Sequence, residues 1–277
     1  MPFKDQHVLI TGGSSGIGLA LARQVAAAGA RVSLVARDRT KLDAARAAIL
    51  TNLPGAAVVT ASADVAVETE VLSALQAAED AHGPVNVLIT SAGVAHPGYF
   101  EDVPVSVFEH TMAVNYFGTL YFLKAVVPGM RRRGRGRLVL ISSGIGLYGF
   151  FGYTPYAPGK FALRGLAECL RAELKDTGVG VTIVYPPDTD TPQLEAENRI
   201  KPPESKAVTS TGGLWSAEDV ARVTLRGVRR GRFVVTPGLP ITALFWLGGL
   251  FAPFVNWSFD RTIRQARAKK RAGQPSS

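Results

Sequence analysis

Residues 11–18 read TGGSSGIG and stand between an apolar run at 7–11 and the start of a helical pattern. Glycines at positions 12, 16 and 18 permit a tight turn and bring the main chain close to a phosphate group. The amide groups and the positive dipole end of the following helix then attract that anion. Because the glycines come directly after the first strand-like run, the segment predicts a dinucleotide-binding turn at the start of an α/β fold.

Seven short runs rich in Val, Ile and Leu alternate with helical patterns along the chain. This alternation indicates a parallel sheet that is buried on both faces. We therefore predict an α/β fold with a single Rossmann-like domain at 1–237, a doubly wound parallel seven-stranded sheet with helices on both faces. The strand-like runs are 7–11, 31–36, 57–61, 86–90, 137–142, 179–184 and 232–236.

The composition is that of a globular chain without disulfides. Of 277 residues, 47% are hydrophobic and 19% are charged, which excludes a disordered protein. Cys169 is the sole cysteine, so an intrachain disulfide and a cysteine-based zinc cage are excluded, and we expect no metal. We expect the Cys169 side chain in the core. The N-terminus lacks the features of a signal peptide, which predicts a cytoplasmic chain.

The basic excess is concentrated in three windows. The chain carries 31 Lys and Arg against 22 Asp and Glu, a formal net charge of +9. Windows 131–137 and 222–232 hold five arginines each and precede strand-like runs, which places them at the sheet edge away from the dinucleotide. Window 261–271 holds six basic residues after an apolar stretch, which suits either an anionic membrane surface or a solvated helix. The windows lack interleaved aromatic residues and nucleic-acid-binding motifs, so we expect no nucleic acid partner.

The end of the second strand-like run indicates which dinucleotide binds. An acidic residue there would bind the ribose 2′-hydroxyl and repel a 2′-phosphate. Arg37 occupies this point and Lys41 follows, and both can pair with a phosphate dianion, whereas Asp38 argues against one. We predict NADP(H), with Asp64 accepting the adenine amine. The predicted cofactor-binding residues are Gly12, Ser14, Ser15, Gly16, Ile17, Gly18, Arg37, Lys41, Asp64, Val65, Ala92, Gly93, Tyr156, Lys160 and Pro186.

A candidate catalytic set stands near the predicted carboxyl ends of the strands. Tyr156 and Lys160 share one helical face, four residues apart. Ser143 directly follows the fifth run, and Ser142 is the neighbouring alternative. Asn115 lies in the long helix that precedes this run. A phenol is too weak an acid for neutral pH unless a nearby ammonium stabilises the phenolate, so the chemistry requires Lys160 beside Tyr156. Ser143 can hydrogen-bond a substrate oxygen.

These motifs resemble the short-chain dehydrogenase/reductases over about residues 6–236. Three narrower stretches, 151–156 (FGYTPY), 160–168 (KFALRGLAE) and 185–192 (YPPDTDTP), resemble the 3-ketodihydrosphingosine reductases, a subfamily that uses NADPH. The resemblance implies reduction of the ketone of 3-ketodihydrosphingosine to dihydrosphingosine, a step of sphingolipid synthesis. A long-chain lipid ketone is the substrate that it implies.

The resemblance also implies a role for each candidate. Tyr156 donates the proton to the ketone, and Lys160 lowers the pKa of Tyr156 and holds the nicotinamide ribose. Ser143 orients the carbonyl, and Asn115 holds a water of the proton relay. The chain departs from the general family at Ser91, where Asn is more usual and ties neighbouring strands together.

A second departure concerns Pro158 and Gly159, which stand between Tyr156 and Lys160. A proline is tolerated in the first turn of a helix, so the pair keeps its geometry if the helix begins near 155–157. Two other functions therefore stay open: a related reductase or dehydrogenase for a steroid, retinoid or 3-ketoacyl compound, and a non-catalytic NADP-binding regulator. A homodimer and a homotetramer are both compatible with the sequence.

The last segment, 238–277, combines an apolar stretch at 239–257 with the basic tail. The stretch has three interpretations: a helix that covers the substrate pocket, a membrane-dipping or interfacial hairpin, and a full membrane span. We expect peripheral contact of 239–271 with the cytoplasmic face of a membrane. The polar residues 200–213 are predicted to form a mobile loop over the substrate.

Overall fold

The computed structural model describes residues 3–209 and 213–273. Its main sheet has seven strands, all parallel, and a separate parallel pair of two-residue strands lies outside it. The strands of the described residues are β1 His7–Thr11, β2 Arg31–Ala36, β3 Val58–Ser62, β4 Val87–Thr90, β5 Gly136–Ile141, β6 Val179–Val184, β7 Thr189–Asp190, β8 Trp215–Ser216 and β9 Val234–Val235.

Helices cover both faces of the main sheet. The α-helices of the described residues are α1 Gly16–Ala27, α2 Arg39–Asn52, α3 Glu68–His82, α4 Val105–Met112, α5 Gly118–Arg132, α6 Ala157–Glu173, α7 Pro192–Ile200, α8 Pro203–Thr209, α9 Ala217–Arg229, α10 Leu239–Leu247 and α11 Ala252–Arg271. A π-helical turn, Ala113–Phe117, joins α4 to α5 without a break in the helical rod.

The strand order of the main sheet is β3-β2-β1-β4-β5-β6-β9, so the direction of winding reverses between β1 and β4. That reversal is the switch point of a doubly wound sheet, and ligands bind in the crevice outside its carboxyl ends. The prediction of a Rossmann-like parallel seven-stranded sheet is confirmed. Strand β9 is shorter than the predicted run at 232–236, whereas β1, β2 and β6 have the predicted bounds.

The core lies in two layers, one on each face of the sheet. On β1, Val8 and Ile10 pack into the layer that contains Leu21 of α1, and Leu9 packs into the layer that contains Phe122 of α5. All five side chains are fully buried. Because alternate side chains enter different cores, the central strands are apolar at most positions, which is why they read as nearly continuous apolar runs.

The start of α6 decides the geometry of the Tyr–Lys pair. The helix begins at Ala157, with Tyr156 as its N-cap and Pro158 in its first turn. Pro158 therefore costs no main-chain hydrogen bond, because the first amides of a helix have no partner within the helix. Lys160 remains one turn after Tyr156 on the buried side of α6.

The segment at 200–213 differs from its prediction. Its described part contains α8, a helix rather than a loop, and Glu204 and Ser205 are buried. Ser205 Oγ donates a hydrogen bond to the main-chain oxygen of Phe151 at 2.8 Å, and α8 packs against α11. The sequence pattern indicated a surface loop because the residues that bury this polar helix come from α11, more than forty positions away. Residues 210–212 lie outside the described residues.

Cys169 also departs from its expected place. It is exposed on α6, so the expectation of a core cysteine is wrong. The buried stripe of α6 runs through Lys160, Leu163 and Ala167, and Cys169 lies off that stripe.

The C-terminal helices pack on the sheet domain by one side each. Ile241 of α10 is buried, and the Phe245 ring lies 5.8 Å from that of Tyr185, at the end of β6. The Phe259 ring of α11 lies edge-on to Tyr148, with 5.7 Å between the ring centres. In the described part of the chain, no helix is both long enough and apolar enough to cross a membrane. The division of the chain at 237/238 stays a prediction.

Candidate active site

A cleft at the carboxyl ends of β1, β4, β5 and β6 brings nearly all predicted site residues together. Asn115 is the predicted residue that does not line the cleft. The predicted residues that line it are Gly12, Ser14, Ser15, Gly16, Ile17, Gly18, Arg37, Lys41, Asp64, Val65, Ala92, Gly93, Ser142, Ser143, Tyr156, Lys160 and Pro186.

In the glycine turn after β1, the positions of Gly12 and Gly18 have no room for a side chain. Gly12 has a φ of +68°, and a Cβ there would lie 2.8 Å from the main chain of Ala92. A Cβ on Gly18 would lie 2.2 Å from the main-chain oxygen of Gly12. The Thr11 hydroxyl accepts hydrogen bonds from the amides of Ser91 and Ala92, each at 3.1 Å. Thr11 therefore joins the ends of β1 and β4, although Ser91 replaces the usual Asn.

The first turn of α1 offers its amide groups to the cleft. Ser15 is the N-cap of this helix, and its side chain forms no capping hydrogen bond with any described residue. Gly16, Ile17 and Gly18 of the same turn line the cleft. Free amides at the positive end of a helix dipole, beside the hydroxyls of Ser14 and Ser15, fit the pyrophosphate of a dinucleotide.

Basic side chains flank the cleft at the end of β2. Arg37 and Lys41 are largely exposed, and Arg37 Nη1 lies 3.8 Å from Asp64 Oδ2. Asp38 caps α2, because its Oδ1 accepts the Lys41 amide at 3.0 Å. Lys41 Nζ lies 3.8 Å from the other oxygen of Asp38. The acidic side chain that argued against a phosphate is thus held at the helix terminus, beside the Lys41 ammonium.

Tyr156 lies at the centre of the cleft and is buried. The side chains of Ser143 and Gln193 lie close enough to its hydroxyl to lower its pKa. Ser143 is the N-cap of a short 3₁₀ turn, and its Oγ also accepts the Ile145 amide at 3.3 Å. The structure thus places Ser143 and Tyr156 where both hydroxyls can reach one substrate oxygen.

Lys160 is buried behind Tyr156. Its Nζ lies 5.5 Å from the centre of the Tyr156 ring and donates a hydrogen bond to the main-chain oxygen of Ile141 at 3.1 Å. Ser142, the alternative to Ser143, is buried and donates its Oγ proton to the main-chain oxygen of Lys160 at 3.1 Å. Ser142 therefore fixes α6 against the end of β5, while Ser143 faces the cleft.

Asn115 lies in the π-helical turn and is fully buried. Its Oδ1 accepts the Val94 amide at 3.0 Å, and its Nδ2 donates to the Val94 main-chain oxygen at 2.9 Å. The Asn115 side chain therefore pairs with the main chain of Val94, as a neighbouring strand would, and fixes the segment that follows β4. Its predicted role in holding a relay water stays a prediction.

Burial sets the protonation of the central pair. It raises the pKa of Tyr156 above the usual value, and the Glu197 carboxylate raises it further, whereas hydrogen bonds from Ser143 and Gln193 lower it. Burial also lowers the pKa of Lys160 to about 8, against an opposing attraction from Glu197. Burial has the largest effect on the Tyr156 pKa, and the predicted lowering of that pKa by Lys160 stays a prediction. A phenol that keeps its proton is the form that can protonate a ketone oxygen.

The sequence pattern did not predict a pair of acidic residues in the cleft, Asp188 and Glu197, with Lys201 behind them. We call this group the acidic wall. Glu197 and Asp188 line the cleft. Gln193, Glu197 and Lys201 recur at four-residue spacing through α7 and just past its end. This polar spacing directly after the YPPDTDTP stretch was the available signal. It resembles an ordinary solvated helix face, because its burial depends on distant segments.

The comparisons agree with this geometry. The family model described as short chain dehydrogenase matches residues 6–201, so the chain belongs to the short-chain dehydrogenase/reductase family. It is an oxidoreductase, and its family binds a nicotinamide cofactor. The chain is similar to 3-dehydrosphinganine reductase of Danio rerio, with 42% identity over 84% of this chain and 71% of that protein. It is also similar to 3-ketodihydrosphingosine reductase of Bos taurus, with 42% identity over 95% of this chain and 87% of that protein.

A solved structure extends the similarity to the fold. The crystal structure of levodione reductase aligns with a TM-score of 0.78 and 28% identity, and covers 85% of this chain and 96% of that chain. The Rossmann-like fold and the membership of the family are thus supported by sequence and by structure.

Proposed function

We propose that this protein reduces the ketone of 3-ketodihydrosphingosine to the alcohol, dihydrosphingosine, with NADPH as the reductant. The observation that carries the proposal is the 42% identity, over 95% of the chain, to a relative named 3-ketodihydrosphingosine reductase. The arrangement of Ser143, Tyr156 and Lys160 in one cleft supports ketone reduction. It also argues against a non-catalytic regulator, because the helix start leaves the Tyr–Lys pair intact despite Pro158.

The chemistry needs one hydride, one proton and a polarised carbonyl. A nicotinamide cofactor held by the glycine turn and the end of β2 would supply the hydride. Ser143 donates a hydrogen bond to the carbonyl oxygen, and Tyr156 transfers its phenolic proton to the same oxygen as the alcohol forms. Lys160 holds positive charge beside the phenolate that remains, which stabilises it until a proton is returned.

The choice of NADPH rests on the end of β2. Arg37 and Lys41 flank the cleft with exposed cationic groups, and the Asp38 carboxylate that follows Arg37 is held at the start of α2. A guanidinium binds a phosphate with two parallel hydrogen bonds, which suits a 2′-phosphate. With a 2′-hydroxyl alone, Arg37 and Lys41 would keep only their pairs with Asp64 and Asp38, each at 3.8 Å.

The apolar ridge supports contact with a membrane surface. We use this name for seven exposed apolar side chains on α10, α11 and the turn between them. Arg261, just beyond the ridge, stacks its guanidinium 5.7 Å from the centre of the Trp257 ring, and Arg264 and Lys269 follow on α11. An apolar patch beside basic residues suits an anionic lipid surface. The ridge consists of Leu239, Trp246, Leu247, Leu250, Phe251, Phe254 and Trp257.

Helix α10 begins beside the cleft, which suits a lipid substrate. A Cβ on Gly144, beside Ser143, would lie 2.8 Å from Ile241 Cδ1, so α10 begins next to the catalytic turn. A ketone that enters from a membrane at the ridge would travel a short distance to Tyr156. The cytoplasmic face of a membrane is the proposed location.

The test is turnover of purified full-length protein with a panel of ketones. We expect the loss of NADPH absorbance with 3-ketodihydrosphingosine in vesicles to exceed that with steroid, retinoid and 3-ketoacyl compounds. Formation of dihydrosphingosine is checked by mass spectrometry. Faster turnover of another member of the panel would contradict the proposed substrate, and NADPH binding without any turnover would favour a regulator.

A further inference from the structure

The acidic wall lies beside the catalytic tyrosine. Tyr153, whose ring centre lies 6.1 Å from that of Tyr156, donates its hydroxyl proton to Glu197 Oε2 at 2.7 Å. Gln193 donates to Glu197 Oε1 at 3.0 Å and also lies close to the Tyr156 hydroxyl. Both oxygens of Glu197 are thus engaged by neighbouring side chains, and the carboxylate is almost completely buried.

Asp188 is engaged more weakly. Its carboxylate lies 4.0 Å from Lys201 Nζ and, among the described residues, accepts no hydrogen bond. One third of the side chain remains exposed, and it lines the cleft. Burial raises the pKa of Asp188, and Lys201 offsets part of that rise. A carboxylate that has lost much of its hydration without gaining hydrogen bonds is stabilised by a cation that enters the cleft.

The local charges leave room for such a cation. Lys201 Nζ lies 4.0 Å from Asp188 and 3.9 Å from Glu197, so one ammonium is shared between two carboxylates. The Lys201 side chain is only 1% exposed and stays behind the wall. The surface that Asp188 presents to the cleft is therefore anionic.

The substrate class supplies the matching group. A 3-keto sphingoid base carries an amine on the carbon next to the ketone, and an alkyl amine is an ammonium at neutral pH. When its ketone oxygen lies at the Tyr156 hydroxyl, the amine nitrogen lies two bonds from the carbonyl carbon. The ammonium then lies in the part of the cleft around Tyr156, where Asp188 and Glu197 are close enough to act electrostatically on the tyrosine.

We propose that Asp188 is a specificity-determining residue that binds the ammonium of the aminoketone while Tyr156 holds the adjacent ketone oxygen. This inference rests on the function proposed above. Glu197 acts indirectly. It pairs with the same Lys201 ammonium as Asp188, and its hydrogen bonds hold Tyr153 and Gln193 beside Tyr156. The YPPDTDTP stretch thereby gains a role that ketone reduction alone does not require.

The experiment compares two ketones and three variants in the full-length protein. The ketones are 3-ketodihydrosphingosine and its analogue with hydrogen in place of the amine, each in vesicles with NADPH. Asp188→Asn removes the charge at constant shape, Asp188→Glu keeps the charge, and Asp190→Asn is the matched control on the same short segment, where Asp190 is exposed. Thermal unfolding of every variant is measured alongside.

We expect Asp188→Asn to lower kcat/KM for the aminoketone by about 10²-fold, because a charge pair at a desolvated site is lost. The same variant should change kcat/KM for the amine-free ketone by less than about twofold, and Asp188→Glu should recover part of the loss. Asp190→Asn should leave both ketones unchanged. NADPH affinity should be unchanged in all three variants.

The inference is overturned if Asp188→Asn loses activity on both ketones equally, or on neither, or if the unaltered protein turns over both ketones with equal kcat/KM. In those cases turnover of 3-ketodihydrosphingosine by the unaltered protein still stands, and so does the proposed function. If the unaltered protein reduces the amine-free ketone but not the aminoketone, the proposed substrate and the inference both fail.

Discussion

The two halves of the cleft are built from different materials. The cofactor half, at the ends of β1 to β4, is built mainly from glycines, helix amides and short polar side chains, as at Gly12, Gly18 and Thr11, with Arg37 and Lys41 at its edge. The substrate half includes long side chains of residues 186–197, such as Gln193 and Glu197, and α10 packs beside it at Gly144.

This difference indicates which features are shared by the family and which depend on the particular substrate. Main-chain geometry at strand ends follows from the sheet itself, so any member with the same glycines presents the same donors. Side chains on α7, α10 and α11 can change without disturbing the sheet. The cofactor half therefore identifies the family, and the substrate half should determine the substrate.

The largest expected effect comes from removing the Tyr156 hydroxyl, which lies where the two halves of the cleft meet. Tyr156→Phe deletes only the hydroxyl, and we expect kcat to fall by about 10³-fold or more, because the proton donor is lost. NADPH affinity, measured by fluorescence titration, should change less than about twofold. Tyr121→Phe, a partly buried tyrosine away from the cleft, is the control and should keep full activity. Residual turnover above one tenth of the original would contradict this role.

The second prediction alters the cofactor half alone. Arg37→Glu replaces a phosphate-binding cation by a carboxylate, and we expect the ratio of kcat/KM for NADPH over NADH to fall by about 10²-fold. The KM for the ketone should stay within about twofold, since the substrate half is untouched. Arg39→Glu, on the exposed start of α2 and outside the cleft lining, serves as the matched control. An equal loss with both cofactors would show that Arg37 does not distinguish them.

The third prediction concerns pH, through Lys160 at the junction of the halves. Burial lowers its pKa to about 8, so the ammonium is present below pH 8 and is lost as the pH rises through that value. The raised pKa of Tyr156 keeps the phenol protonated over the same range. We expect kcat/KM for reduction to fall toward a limiting slope of about tenfold per pH unit above pH 8. A profile that stays flat to pH 10 would contradict this assignment.

The fourth prediction alters the substrate half at its outer surface. Trp246→Ser removes a side chain that is 73% exposed on the apolar ridge, and we expect binding to anionic vesicles to weaken by about fivefold. Turnover of a short, soluble ketone should not change. Leu72→Ser, an exposed apolar residue on α3, is the control and should bind vesicles normally. Unchanged vesicle binding by Trp246→Ser would remove the ridge as the membrane contact.

The sequence by itself determined the sheet, the glycine turn and the identities of the central side chains. Continuous apolar runs follow from burial on both faces, and glycines at 12 and 18 follow from a lack of space for a Cβ. The spacing of Tyr156 and Lys160 was readable because one helical turn brings residues four apart together. Each of these signals depends on residues that are close together in the sequence, so each can be read without knowing the tertiary structure.

Only the tertiary structure decided the remainder. It separated Ser142, which bonds the Lys160 main chain, from Ser143, which lies close to the Tyr156 hydroxyl. It turned 200–213 into a segment that contains a buried helix, and it exposed Cys169. It assembled the acidic wall from Asp188, Glu197 and Lys201, which look like solvated residues in the sequence. The physical reason is that burial and charge pairing depend on which distant segments meet, and no pattern along one helix records its partner.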